Sequence, residues 1–171
     1  MNYLLQNSDE EHPITVNQMI QYLESNGIAA ERKSIYDDIE ALRTFGMDIE
    51  ECKRGRVFGY YVASRTFELP ELKLLVDAVQ SSSVISARTS KRIIHKLEAL
   101  CSDYEGTQLQ RQVYVDGRPK TDSQTLLYSI DALHTAINRG CLVQFRYKNN
   151  STWTVSPWQL AWEGGCYYLI A

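Results

Sequence analysis

Apolar positions recur along this chain with two different periods, and the change of period divides it. From Ala30 to Phe45, Ile35, Ile39 and Leu42 fall at i, i+4 and i+7, which predicts a helix with one apolar stripe. Its other faces carry Arg32, Lys33, Tyr36, Asp37, Glu40 and Arg43, all able to hydrogen-bond at a surface. Ahead of it, Met19, Ile20 and Leu23 face a core from a second helix. Thr15 is placed to cap that helix, and Gln18, three residues on, completes a capping box. Asn26-Gly27 is the turn between the two, and Gly46 stands where a left-handed residue closes the later helix. Met47–Cys52 and Val57–Val62 are β-type runs separated by Lys53-Arg54-Gly55-Arg56, a hairpin with Gly55 free to take positive φ. Tyr3-Leu4-Leu5 reads as the last turn of a helix whose beginning is missing, and Ser8-Asp9-Glu10-Glu11 as a solvated loop.

Further along, Phe67–Leu69 followed by Pro70 marks a boundary. Glu71–Val79 is helical, with Leu72, Leu75, Val76 and Val79 on its stripe, and a further helix runs from Thr89 to Leu100 with Ile93, Leu97 and Leu100 aligned. Exposed stripes on these two helices would suit packing by a second subunit. Asp103–Asp122 is polar, with one β-like island at Val113-Tyr114-Val115 and a turn at Gly117-Arg118-Pro119. Leu126–Ile137 is helical again, stopped by Gly140. From Cys141 the period becomes two. One strand holds Leu142, Phe145 and Tyr147, a second runs from Trp153 to Trp162 broken at Pro157, and a third from Cys166 to Ala171. Asn149-Asn150 and Gly164-Gly165 are the turns. Three close antiparallel strands rich in aromatics predict a small barrel, left with an open edge and so incomplete.

The fold class is therefore α+β. A winged helix-turn-helix occupies 1–66, a helical connector and dimerisation segment 67–122, and a helix with the first barrel strands 123–171.

Composition constrains what such a protein can do. A hydrophobic fraction of 44% supports a real core. No apolar run approaches the length of a membrane span and the N-terminus has no leader pattern, so a cytoplasmic protein without a membrane partner is expected. Cys52, Cys101, Cys141 and Cys166 are far apart, and with only three histidines they predict buried free thiols rather than a metal site or disulfides. No G-x-S-x-G, P-loop or H-E-x-x-H pattern points to an enzyme or a cofactor.

Net charge argues against nucleic acid at first sight. It is −3 for the chain, and residues 1–65 hold seven Lys and Arg against eleven Asp and Glu. Local clustering answers this in part: Arg32 and Lys33 open one helix, and Lys53, Arg54 and Arg56 crowd the hairpin tip, where phosphates would lie.

The residues Ile35-Tyr36-Asp37-Asp38-Ile39-Glu40-Ala41-Leu42, preceded by Ser34, are similar to the recognition-helix signature T-[IV]-x-R-D-I-x-x-L, with Asp37 in place of the usual Arg. Gly59-Tyr60 matches the G-Y that closes the wing. Phe145-Arg146-Tyr147, Ser156-Pro157-Trp158-Gln159-Leu160 and Tyr167-Tyr168-Leu169 follow in an order that completes the pattern. The chain thus resembles bacterial WYL-domain transcriptional regulators, which join a DeoR-like winged helix to a small Sm-like barrel. Here the namesake tripeptide is YYL, and the family's arginine-rich downstream strand lies beyond Ala171.

Candidate DNA contacts are Arg32, Lys33, Ser34, Tyr36 and Arg43 on the helix and Lys53, Arg54 and Arg56 on the hairpin. Arginine and lysine suit guanine O6/N7, and Ser and Tyr suit phosphate or either base edge. Candidate ligand residues are Arg146, Tyr147, Ser156, Trp158 and Tyr168, either a stacking platform with an anion contact or, for the aromatics, barrel core. The function expected is a homodimeric, sequence-specific regulator of transcription on double-stranded DNA. Its barrel would sense a nucleotide, single-stranded nucleic acid or other anionic effector. The alternative is a nucleic-acid or nucleotide sensor acting through the barrel, with the winged helix used for protein contacts.

Overall fold

The computed structural model describes residues 1–55, 57–109, 125–147 and 151–171. Arg56, the Val113–Val115 island, Gly117-Arg118-Pro119 and the Asn149-Asn150 turn lie outside the described residues, as does the side chain of Arg54. The described residues form seven helices and three two-stranded antiparallel sheets, an α+β architecture without a closed barrel. They belong to two compact units, Met1–Asp77 with Ile94–Gln112, and Ala78–Ile93 with Val113–Ala171.

The first unit starts with α1 (Asn2–Asn7), α2 (Val16–Ser25) and α3 (Arg32–Thr44), followed by β1 (Ile49–Arg54) and β2 (Val57–Val62). The Thr15–Gln18 capping box forms as expected: Thr15 Oγ1 accepts from the Gln18 amide, and the Gln18 side chain accepts from the Thr15 amide at 2.8 Å. Gly27, at φ 75°, ends α2, with the Ile28 amide reaching back to the Leu23 carbonyl. Gly46, at φ 107°, ends α3 in the same way, with Met47 bonded to Leu42. Ile35 and Ile39 bury the stripe of α3 against Leu4, Ile14, Val16, Met19, Ile49, Tyr60 and Val62. The hairpin pairs Arg54 with Val57 across Gly55, which takes φ 64°. Ile14 joins its edge through two backbone bonds of 2.8 Å with Tyr60. That crossing explains Gly59, because a Cβ there would lie 3.1 Å from the Ile14 carbonyl oxygen.

Two expectations for this unit are corrected. The start of Ser8–Glu11 is not solvated: Ser8 is fully buried and Asp9 is 8% exposed. Ser8 Oγ donates to the Leu4 carbonyl and accepts from the Val62 amide, so it closes backbone groups that the core would otherwise leave unpaired. The polar run after Asp103 begins with a helix, α6 (Asp103–Leu109), which follows α4 (Leu69–Ser81) and α5 (Ala87–Glu98). Ser102 caps α6, accepting from the Glu105 amide while Glu105 accepts from the Ser102 amide. Leu109 is fully buried with Leu72, Val76 and Cys101 in a second core. Pro70 sits in the first turn of α4, where a missing N–H costs nothing. Half of the α4 stripe is turned inward: Leu72 and Val76 have no exposed surface, Val79 is intermediate, and Leu75 is exposed, as is Leu74 beside the stripe.

The second unit contains α7 (Leu126–Arg139), closed by Gly140 at φ 64°, and four strands rather than three: β3 (Val143–Tyr147), β4 (Ser151–Val155), β5 (Gln159–Glu163) and β6 (Cys166–Ile170). β3 pairs with β4 and β5 with β6, each pair a sheet of its own. The barrel expected here is therefore corrected to two hairpins among the described residues. Pro157 has no N–H to give a ladder, and the Ser156-Pro157-Trp158 stretch carries no strand, so β4 and β5 stay separate. The thiols are corrected too. Cys101 is buried, but Cys141 and Cys166 are exposed and Cys52 is intermediate.

Candidate nucleic-acid interface

The outward face of α3 is set by its inward one. With Ile35 and Ile39 locked in the core, Arg32, Lys33, Ser34, Tyr36 and Asp37 must point away, and all five are exposed. They lie in the first two turns of the helix. Its N-cap, Glu31, offers no side-chain cap, and the first turn contains no acid. Two cations at the positive end of the helix dipole, with amides unmet by a side chain, cost the helix stability and present an anion with converging positive potential.

Three of the acids in the charge count, Glu40, Glu50 and Glu51, are occupied by partners. Arg43 spans three groups: Nη1 reaches Glu40 at 2.6 Å, Nη2 reaches Glu51 at 3.5 Å, and Nε donates to the Ile49 carbonyl at 2.9 Å. Burial alone would lower the Arg43 pKa, but Glu40 and Glu51 reverse this and raise it. Its guanidinium thus ties α3 to β1 and stands 6.0 Å from the Tyr60 ring. Burial, followed by the charge of Glu51, raises the Tyr60 phenol pKa. Glu50 accepts from the Tyr61 hydroxyl at 3.0 Å. Lys53 is exposed on β1 opposite Phe58, one residue from the tip carried by Arg54 and Gly55.

Arg32 and Tyr36 are joined directly, with Arg32 Nε donating to Tyr36 Oη at 3.1 Å. Ser34 Oγ donates to the Glu31 carbonyl at 2.8 Å and so is used within its own turn.

The ligand candidates of the second unit are exposed and dispersed. Arg146 and Tyr147 lie on β3, Ser156 and Trp158 in the stretch before β5, and Tyr168 on β6 opposite Ala161. Trp158 is 80% exposed, its amide bonded to the Ile170 carbonyl at 2.8 Å. The aromatics do not fill a core: Tyr147, Trp162, Tyr167 and Tyr168 are all exposed, with Trp162 and Tyr167 edge to face at 4.6 Å. A cavity of about 460 Å³ does open between α7 and the strands, lined by Leu133, Val143, Gln144, Phe145 and Leu169 among others, and none of the five candidates lines it.

Sequence reasoning missed Asp9, the polar hub of the first unit. Asp9 Oδ1 accepts from the Glu11 and His12 amides and lies 2.7 Å from His12 Nδ1, while Oδ2 accepts from Ser102 Oγ at 2.6 Å. Burial works against its charge, but hydrogen bonds from Ser102 and His12 outweigh it and hold the carboxyl below the usual carboxylate range. Serine, aspartate and histidine meet here in the wrong order for a nucleophile, since the serine bonds the carboxylate and not the imidazole. Among the described residues no cluster of His, Cys, Asp or Glu could hold a metal, and no helix is long and apolar enough to cross a membrane.

Residues 2–54, which run from α1 through β1, match the family described as FokI, D3 domain. No curated protein matches the chain.

Proposed function

We propose that this chain is a DNA-binding regulator of transcription that reads duplex DNA with α3 and grips the backbone with the β1–β2 hairpin. Helix, turn, helix and hairpin in that order over residues 1–66 support reading this segment as a winged helix-turn-helix. The observation that carries the reading is the exposed set Arg32, Lys33, Ser34 and Tyr36 at the start of α3, backed by a core that turns that face outward. The match to the D3 domain of FokI, a DNA-binding-related domain, supports it over the same residues. In this reading the second unit is a WYL-type sensor of an anionic effector, the protein works as a homodimer on half-sites roughly 34–36 Å apart, and it has no enzymatic activity.

Gel shifts of the full chain over a salt series test it. Lys33→Ala and Lys53→Ala should each weaken binding to all duplexes and reduce the slope of log affinity against log salt by about 1, the signature of one lost phosphate contact. Unchanged affinity and slope in both variants would sink the assignment.

The exposed aromatics of β3 to β6 favour a second reading, in which these hairpins stack the bases of a single strand or nucleotide and the winged helix meets protein.

A further inference from the structure

The Arg32–Tyr36 pair has a use that a solvated helix face does not require. Arg32 is the first residue of α3, the end of a recognition helix that meets base edges. A free arginine samples many rotamers and loses that freedom on binding. Here its Nε is already engaged by Tyr36 Oη one helical turn away, which biases the guanidinium toward one orientation and leaves Nη1 and Nη2 as a fork. That fork matches the paired acceptors O6 and N7 of guanine in the major groove. Its neighbours suit other tasks. Lys33 is a point charge adapted to phosphate, Ser34 spends its hydroxyl proton on Glu31, and Arg43 is held by Glu40 and Glu51.

We propose that Tyr36 is a positioning residue that aims Arg32 at a guanine, so that the half-site read by this chain carries guanine facing the start of α3. This rests on the DNA-binding reading above and deepens it by naming the base.

The test is selection of bound sequences from a randomised duplex pool by the full chain. Affinity is then measured for all four bases at the enriched position. Wild type should select guanine there. Arg32→Ala should cut the preference about tenfold or more, the range of a lost bidentate contact. Arg32→Lys should keep the salt slope, because the charge remains, and still lose the preference. Tyr36→Phe keeps the exposed ring and removes only the hydroxyl; it should lower the guanine preference several-fold with the salt slope unchanged. If wild type binds duplex but selects no guanine, or if Tyr36→Phe keeps the full preference, the proposal falls and the DNA-binding reading stands. If wild type binds no duplex at all, both fall.

Discussion

Asp9 shows how much one buried side chain can organise. It receives two backbone amides at the end of α1, sits against His12, and takes the hydroxyl of Ser102, itself the cap of α6. Arg65 reinforces the same junction, donating to the Ser8 carbonyl at 2.7 Å. Removing the carboxylate strands the fully buried Ser102 hydroxyl, so Asp9→Ala should cost about 2–3 kcal/mol, read as a lower urea midpoint at pH 7. The pH dependence follows from the lowered pKa. The folded state holds fewer protons on Asp9 than the unfolded state does, so its contribution is complete above the ordinary carboxylate range. It is lost as pH falls through the folded value. Urea midpoints at pH 7, 5 and 3 should therefore converge between wild type and Asp9→Asn as pH drops; a gap that stays constant with pH would show that the charge is irrelevant. The Cys101 thiol belongs to the same region, and burial pushes it up to about 11. Its reactivity should lag behind that of the exposed Cys141 and Cys166.

Among the elements, α2 and α3 differ at their starts in a way that matters. α2 begins with a complete capping box, while α3 begins with Glu31, Arg32 and Lys33 and no side-chain cap. Local rules broken without compensation are expected where function requires them. Lys33→Glu should repair the mismatch with the helix dipole, raising stability by about 0.3–1 kcal/mol while abolishing duplex binding. Lower stability together with intact binding would remove α3 from the interface. The apolar period of 3.6 made the cores of α2 and α3 legible in the sequence, and Gly27 and Gly46 marked the turns that end them, since each takes positive φ. α6 was legible as well, because Ser102-Asp103-Tyr104-Glu105 spells a capping box, but the polarity of that run masked it. Burial of Ser8 and Asp9 could not be read locally: their partners, Val62 and Ser102, lie 54 and 93 residues away. For the site, the helical period told which residues of α3 face outward, but the Arg32–Tyr36 bond and the commitment of Arg43 depend on side-chain geometry that spacing leaves open.

At the scale of the molecule, charge and aromaticity are distributed unequally, and this provides a direct way to locate binding. All three tryptophans, Trp153, Trp158 and Trp162, belong to the second unit and are exposed, at 53%, 80% and 52%. The first unit contains the clustered cations Arg32, Lys33 and Lys53 and no tryptophan. Tryptophan emission therefore reports on the second unit, and no tryptophan lies on α3. Should duplex DNA bind through α3 and the hairpin without touching the indoles, saturating duplex will shift the protein in a gel while leaving tryptophan intensity and emission maximum unchanged. Bases stacked on the indoles would quench them. A quench that saturates with duplex would bring the hairpins of the second unit into the interface; if Lys33→Ala also left duplex affinity unchanged, the winged-helix reading would fall. A quench by single-stranded oligonucleotide alone would instead place effector and operator on different units. The effector could then control DNA binding only through a free-energy coupling between the two sites, and that coupling must be reciprocal: duplex would have to change the midpoint of the single-strand quench by the same factor as the oligonucleotide changes duplex affinity.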